Sequence, residues 1–212
     1  MAKSLPEIIY DKTKITPIID SNNSYYQIPM YKDEPYLSSI ETYTQFVKGI
    51  ESQVRHNDRY NKYINYLKKE VKLDHCQVLK NIDDKDADIE MHHGPIFNLF
   101  DICSIVLEYF RIKGWKISTF RVADQVLDEH QKNRVQVVML SVTMHELVHE
   151  KEIFINYHQA YGDLKAFLDK YSIALLDEQK EKLNRYIDRS TLQDSTDYDV
   201  LQLNDYLFGN KN

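Results

Sequence analysis

Between residues 38 and 189 apolar side chains return every three or four positions, the spacing that lines up one face of an α-helix, so strands have little room in this chain. Ile40, Tyr43, Val47, Ile50 and Val54 form the first such stripe, opened by Ser38-Ser39-Ile40-Glu41, which reads as a capping box. His56-Asn57-Asp58 breaks it and supplies a new N-cap, after which Tyr60, Tyr63, Ile64, Leu67 and Val71 continue to about residue 72. Asn98 caps a third helix with Asp101 in its first turn, Leu99, Ile102, Cys103, Val106 and Phe110 on its apolar side, and Gly114 as its stop. Val122, Ala123, Val126, Leu127 and His130 mark a fourth, and helices are predicted over 141–151, from Leu164 to Tyr171, and from Asp177 to Arg189. The predicted fold class is mainly α (α+β): a helical domain with a small β-hairpin at residues 76–93, a short strand at 153–157 and a winged-helix-like segment.

The flanks differ from this domain of residues 38–189. Pro6, Pro17, Pro29 and Pro35 exclude a long helix from residues 1–37, and Ile15, Ile18, Ile19, Tyr25, Tyr26 and Ile28 make that segment too apolar for a disordered tail, so an extended arm lying on the body or on a partner protein is expected. Residues 190–212 are acidic yet keep Leu201, Leu203, Tyr206, Leu207 and Phe208, the composition of a tail that docks or binds a partner. A net charge of −6 opposes broad binding to a polyanion, leaving only a local basic face for that purpose. Two cysteines are too few for a disulfide framework, and no apolar run approaches a membrane span. No signal-peptide core is present near Met1, so a cytoplasmic location is expected, without membrane attachment. Sixteen tyrosines against five glycines suggest an AT-rich coding sequence, as in bacteria or phages.

Side chains suited to chemistry crowd into residues 87–103. Ile89 and Met91 alternate with Glu90 and His92, so a strand there puts Glu90 and His92 on one face and His93 on the other, with Gly94-Pro95 ending it. The pieces Glu90-Met91-His92-His93-Gly94-Pro95 and Asn98-Leu99-Phe100-Asp101-Ile102-Cys103 resemble the HNH (ββα-metal, His-Me finger) nucleases over residues 76–103. The resemblance implies a divalent metal (Mg, Mn or Zn), catalytic roles for His92 and Glu90 as base and ligand, and metal ligation by His93 with help from elsewhere. Alternation alone makes His93 the more structural of the pair.

The help comes from His145-Glu146-Leu147-Val148-His149, which puts two imidazoles on one helix face as in the zincins. Ile155 stands where a metzincin has its third histidine, so a protease is not expected; His145 and His149 are instead candidate ligands for the site at His92. The order of helices 98–113, 119–131 and 141–151 followed by a strand at 153–157 resembles a winged helix, which implies binding to DNA or protein. Arg55, Arg59, Lys62, Lys68 and Lys69, interleaved with tyrosines, form the most basic stretch and the candidate nucleic-acid face. Three functions are left open: a metal-assisted, nuclease-like protein acting on nucleic acid, of phage origin; a winged-helix-like binding module without catalysis; and a structural or assembly protein.

Overall fold

The computed structural model describes residues 39–193 and 198–207; the expected arm of residues 1–37 lies outside the described residues. In chain order the elements are α1 (Ile40–Arg55), α2 (Asp58–Lys69), β1 (Ile89–His93), α3 (Leu99–Ile112), α4 (Thr119–Gln131), β2 (Val137–Ser141), α5 (Val142–His149), α6 (Leu164–Tyr171), α7 (Asp177–Gln193) and α8 (Tyr198–Leu201), with short 3-10 segments at Tyr157–Gln159, Ser172–Ala174 and Gln202–Tyr206. The fold is mainly helical with one small antiparallel sheet, as the periodicity predicts.

Helix α3 is the axis of the packing. Its sequence is apolar nearly all round, and Leu99, Ile102, Cys103, Ile105, Val106, Leu107 and Phe110 are buried, which requires neighbours on every side. Helices α1, α4 and α6 pack against it. The predicted cap forms: Asn98 Oδ1 accepts from the Asp101 amide at 2.8 Å and Asp101 Oδ2 from the Asn98 amide at 3.1 Å. The other Asp101 oxygen receives Lys182 Nζ at 2.6 Å, tying the start of α3 to α7. Helix α1 starts one residue later than its apparent capping box. Ser39, not Ser38, is the N-cap, and Thr42 takes the place of Glu41 in the capping box; Ile40 is exposed, whereas Val47, Ile50 and Val54 of the predicted stripe are buried together with Phe46.

On α4, Glu129 is fully buried and accepts from Lys170 Nζ (2.6 Å), Gln125 Nε2 (2.7 Å), the Tyr171 hydroxyl (2.9 Å) and Arg134 (3.3 Å). Burial pushes its carboxyl up; hydrogen bonds from Lys170 and Tyr171, with the charges of Lys170 and Arg134, outweigh that and hold it below the usual range.

The sheet is not the predicted hairpin. β1 pairs antiparallel with β2, with Ile89 opposite Ser141 and His93 opposite Val137. Residues 76–82 form a loop, closed by a Cys76 amide bond to the Ile82 carbonyl at 2.8 Å and a bridge between His75 and Asp83. From that loop Gln77 lies on the other edge of β2: its amide donates to the Met139 carbonyl at 2.8 Å, and its side-chain oxygen accepts from the Met139 amide at 2.7 Å. Tyr161 bridges Val137 on the same edge. β2 is therefore enclosed, and all five of its residues are buried. A short run that is apolar up to its closing Ser141 has no alternation to reveal it as a strand, and pairing across a long stretch of chain is invisible to local spacing.

The predicted strand at 153–157 is absent as well. Ile155 is buried, but its carbonyl accepts the Tyr186 hydroxyl at 3.0 Å and pairs with no strand. The wing expected of a winged-helix-like segment is thus missing, and α5 ends at His149 instead of 151. At the other boundary α7 runs on to Gln193, and Val200, Leu203 and Tyr206 are buried beyond it. Lys165 reaches Asp199 at 2.7 Å and the Tyr206 hydroxyl donates to Asp169 at 2.7 Å, so this part of the expected tail is docked on α6. Among the described residues no helix is long and apolar enough to cross a membrane.

Candidate functional site

The β2–α5 junction builds the site. Ser141 is both the last residue of β2 and the N-cap of α5, so the helix leaves the sheet without a loop, beside Ile89, and packs back along both strands. From there β1 and α5 advance together. The two-residue step from Glu90 to His92 covers about 6.6 Å of strand, and the four-residue step from His145 to His149 covers about 6 Å of helix. Matching strides bring His145 beside Glu90 and both helix imidazoles over His92.

Glu90 Oε2 lies 2.6 Å from His145 Nδ1. Two Nε2 atoms, of His145 and His149, face each other at 3.1 Å. The His92 ring sits edge-on to both, its centroid 5.0 Å from each, and one nitrogen from each of the three rings falls within 4.8 Å of the others. The Glu90 carboxylate can only accept, so His145 carries a proton on Nδ1, and Nε2 is the nitrogen that faces the other two rings. Burial, followed by the charges of His145 and His149, lowers the His92 pKa to about 4, which keeps that ring neutral at pH 7. Gly94 leaves space for it, since a Cβ there would meet His92 Nε2 at 3.1 Å. A transition metal binds imidazole through an unprotonated nitrogen, and His92 offers one at pH 7 beside the ring nitrogens of His145 and His149.

His93, a candidate ligand by sequence, is not part of this cluster. As alternation along β1 dictates, it points inward, where its Nε2 meets His130 Nε2 at 3.0 Å and its ring stacks on Tyr60. The Nδ1–H of His130 donates to the Val126 carbonyl at 2.8 Å, so His130 Nε2 is the acceptor and His93 the donor. His130 entered the sequence reading only as a stripe residue; no local signal pairs it with a residue on another element. Glu146, the remaining polar residue of the His145–His149 motif, is exposed.

The basic stretch is largely engaged within the chain. Arg55 pairs with Glu51 at 2.8 Å, Arg59 bridges Asp124 and Asp128 on α4, and Lys68 donates to the Ile89 carbonyl at 2.8 Å. Lys62 and Lys69 face solvent or the surface rim. The cluster instead borders a groove of about 430 Å³, lined by His92 and His149 on one side and by Lys182, Arg185 and Arg189 of α7 on the other.

A family model described as Bacteriophage G278-like virion protein matches residues 7–210. The chain belongs to this family. Membership establishes the phage origin that the composition suggested, and lends nothing to a nuclease activity or a DNA partner. No curated protein and no solved structure matches the chain. The match takes in residues on both sides of the helical domain as well as the domain itself.

Proposed function

We propose that the protein is a structural component of the phage particle, held in place by contacts with other virion proteins. The observation that carries this reading is the match of residues 7–210 to a virion protein family. Physical features agree with it. Arg55, Arg59 and Lys68 are committed to partners inside the chain, and a net charge of −6 gives little phosphate neutralisation. A protein assembled by its protein neighbours needs no such neutralisation.

The test is quantitative mass spectrometry of particles purified through a density gradient and washed at high salt. The protein is expected to co-sediment with infectious particles at a fixed copy number per particle. Recovery only from the soluble fraction of infected cells would overturn the proposal.

A further inference from the structure

The geometry points to a transition-metal site, selective for zinc-like ions, formed by His92 of β1 with His145 and His149 of α5 and oriented by Glu90. It stands independently of the virion role, since it rests on side-chain placement alone.

Three arguments carry it. Convergence is the first: nitrogens bound to one tetrahedral ion at about 2.0–2.1 Å lie roughly 3.4 Å apart, and the three rings already hold donors within 4.8 Å, with His145 and His149 at 3.1 Å. Closing the remainder takes ring rotations and leaves the backbone where it is.

The second is the Glu90–His145 contact. A carboxylate accepting from the far nitrogen of a ligating histidine fixes the tautomer and raises the basicity of the other nitrogen, the usual support around a bound zinc ion. Here it aims Nε2 at the gap between the rings. A lone surface ion pair would not have to point its second nitrogen at two more imidazoles.

Third, the donor set is entirely imidazole. Mg²⁺ and Ca²⁺ prefer oxygen ligands, whereas imidazole suits Zn²⁺ and its neighbours Co²⁺, Ni²⁺ and Cu²⁺. The sequence expectation of Mg, Mn or Zn is thereby narrowed to the zinc end. Three protein ligands leave a fourth position, and exposed His149 places it at the edge of the groove lined by Lys182, Arg185 and Arg189. Water or a small anion is the ligand that position accepts.

The experiment uses the untagged full chain, stripped with chelator and titrated with Zn²⁺ by calorimetry and with Co²⁺ by visible absorption. One ion per chain is expected, with a Kd of micromolar or below and the ligand-field bands of a four- or five-coordinate cobalt centre. His149→Ala, at an exposed position, and His145→Gln should each weaken binding at least 100-fold with unchanged circular dichroism. Glu90→Gln should keep the stoichiometry and lose roughly 10- to 100-fold in affinity. His56→Ala, whose ring bonds Ser52 and lies outside the cluster, should bind like the parent. Absence of stoichiometric Zn²⁺ binding by the parent chain would overturn the site, as would His149→Ala and His145→Gln variants that bind as tightly as the parent. Mg²⁺ competing at equal concentration would overturn the selectivity.

Discussion

His130 has no contact with solvent, and burial lowers its pKa to about 4 against opposing help from the Val126 carbonyl and Glu129. In the unfolded chain a histidine titrates near 6.5. A depressed histidine pKa means that the unfolded state binds the extra proton first, so its contribution is complete above about pH 6.5 and is lost as the pH falls from there toward 4. For His130 alone that loss is on the order of 3 to 4 kcal/mol; His93, also driven well below its usual value by burial and by His130, acts in the same direction. Urea midpoints measured from pH 7 to pH 4.5 should fall steeply below 6.5. A flat profile would mean that this pair opens to solvent. Residue-level signals in the sequence were uneven for a physical reason. The Asn98–Asp101 cap and the Gly114 stop, with its φ of 62°, lie within a few positions of what they govern, whereas His93 and His130 meet across 37 positions and leave no local trace.

Elements with their own period were legible; elements made by contact were not. The stripes of α2, α3, α4 and α6 coincide with the observed helices because an amphipathic or wholly apolar helix carries its burial pattern in its spacing. β2 carries no such pattern. It exists because β1 lies on one edge and Gln77 and Tyr161 on the other, and the hairpin predicted for residues 76–93 failed because the better partner for β1 comes later in the chain. The Tyr161 edge can be tested. Gly162 has a φ of 123°, and a Cβ there would fall 2.3 Å from the Val135 carbonyl oxygen, a backbone atom with no rotamer to yield. Gly162→Ala should therefore destabilise by about 3 kcal/mol, at the severe end of overpacking, read as a lower urea midpoint. Gly114→Ala, whose added methyl meets nothing within 4 Å, should cost clearly less, through its backbone angle alone.

At the scale of the molecule the boundary placed after residue 189 proved porous. Helix α7 crosses it, and Val200, Leu203 and Tyr206 are buried beyond it. Composition marked that segment as acidic, yet its apolar residues recur closely enough to cover α6, and the Lys165–Asp199 and Tyr206–Asp169 contacts fasten it there. Ending the chain at Gln193 should expose this face, lower the melting temperature by several degrees and promote dye binding to newly exposed apolar surface. An unchanged melting temperature would show the tail to be dispensable to the body. The same scale explains the reading of the candidate site. Glu90, His92, His145 and His149 were each visible as chemistry-bearing residues, but their assembly needs the β1–β2 pairing, the one part of the fold that no local pattern announces.

Because side chains along β1 alternate faces, a slip of one residue against β2 would carry Glu90 and His92 into the core and turn His93 outward. No loop between β2 and α5 could absorb the error, since Ser141 belongs to both. The cluster is therefore a proofreading mark on the fold: chains paired out of register lack the donor set, and at the proposed metal site the ion capacity of a preparation would count its correctly paired molecules.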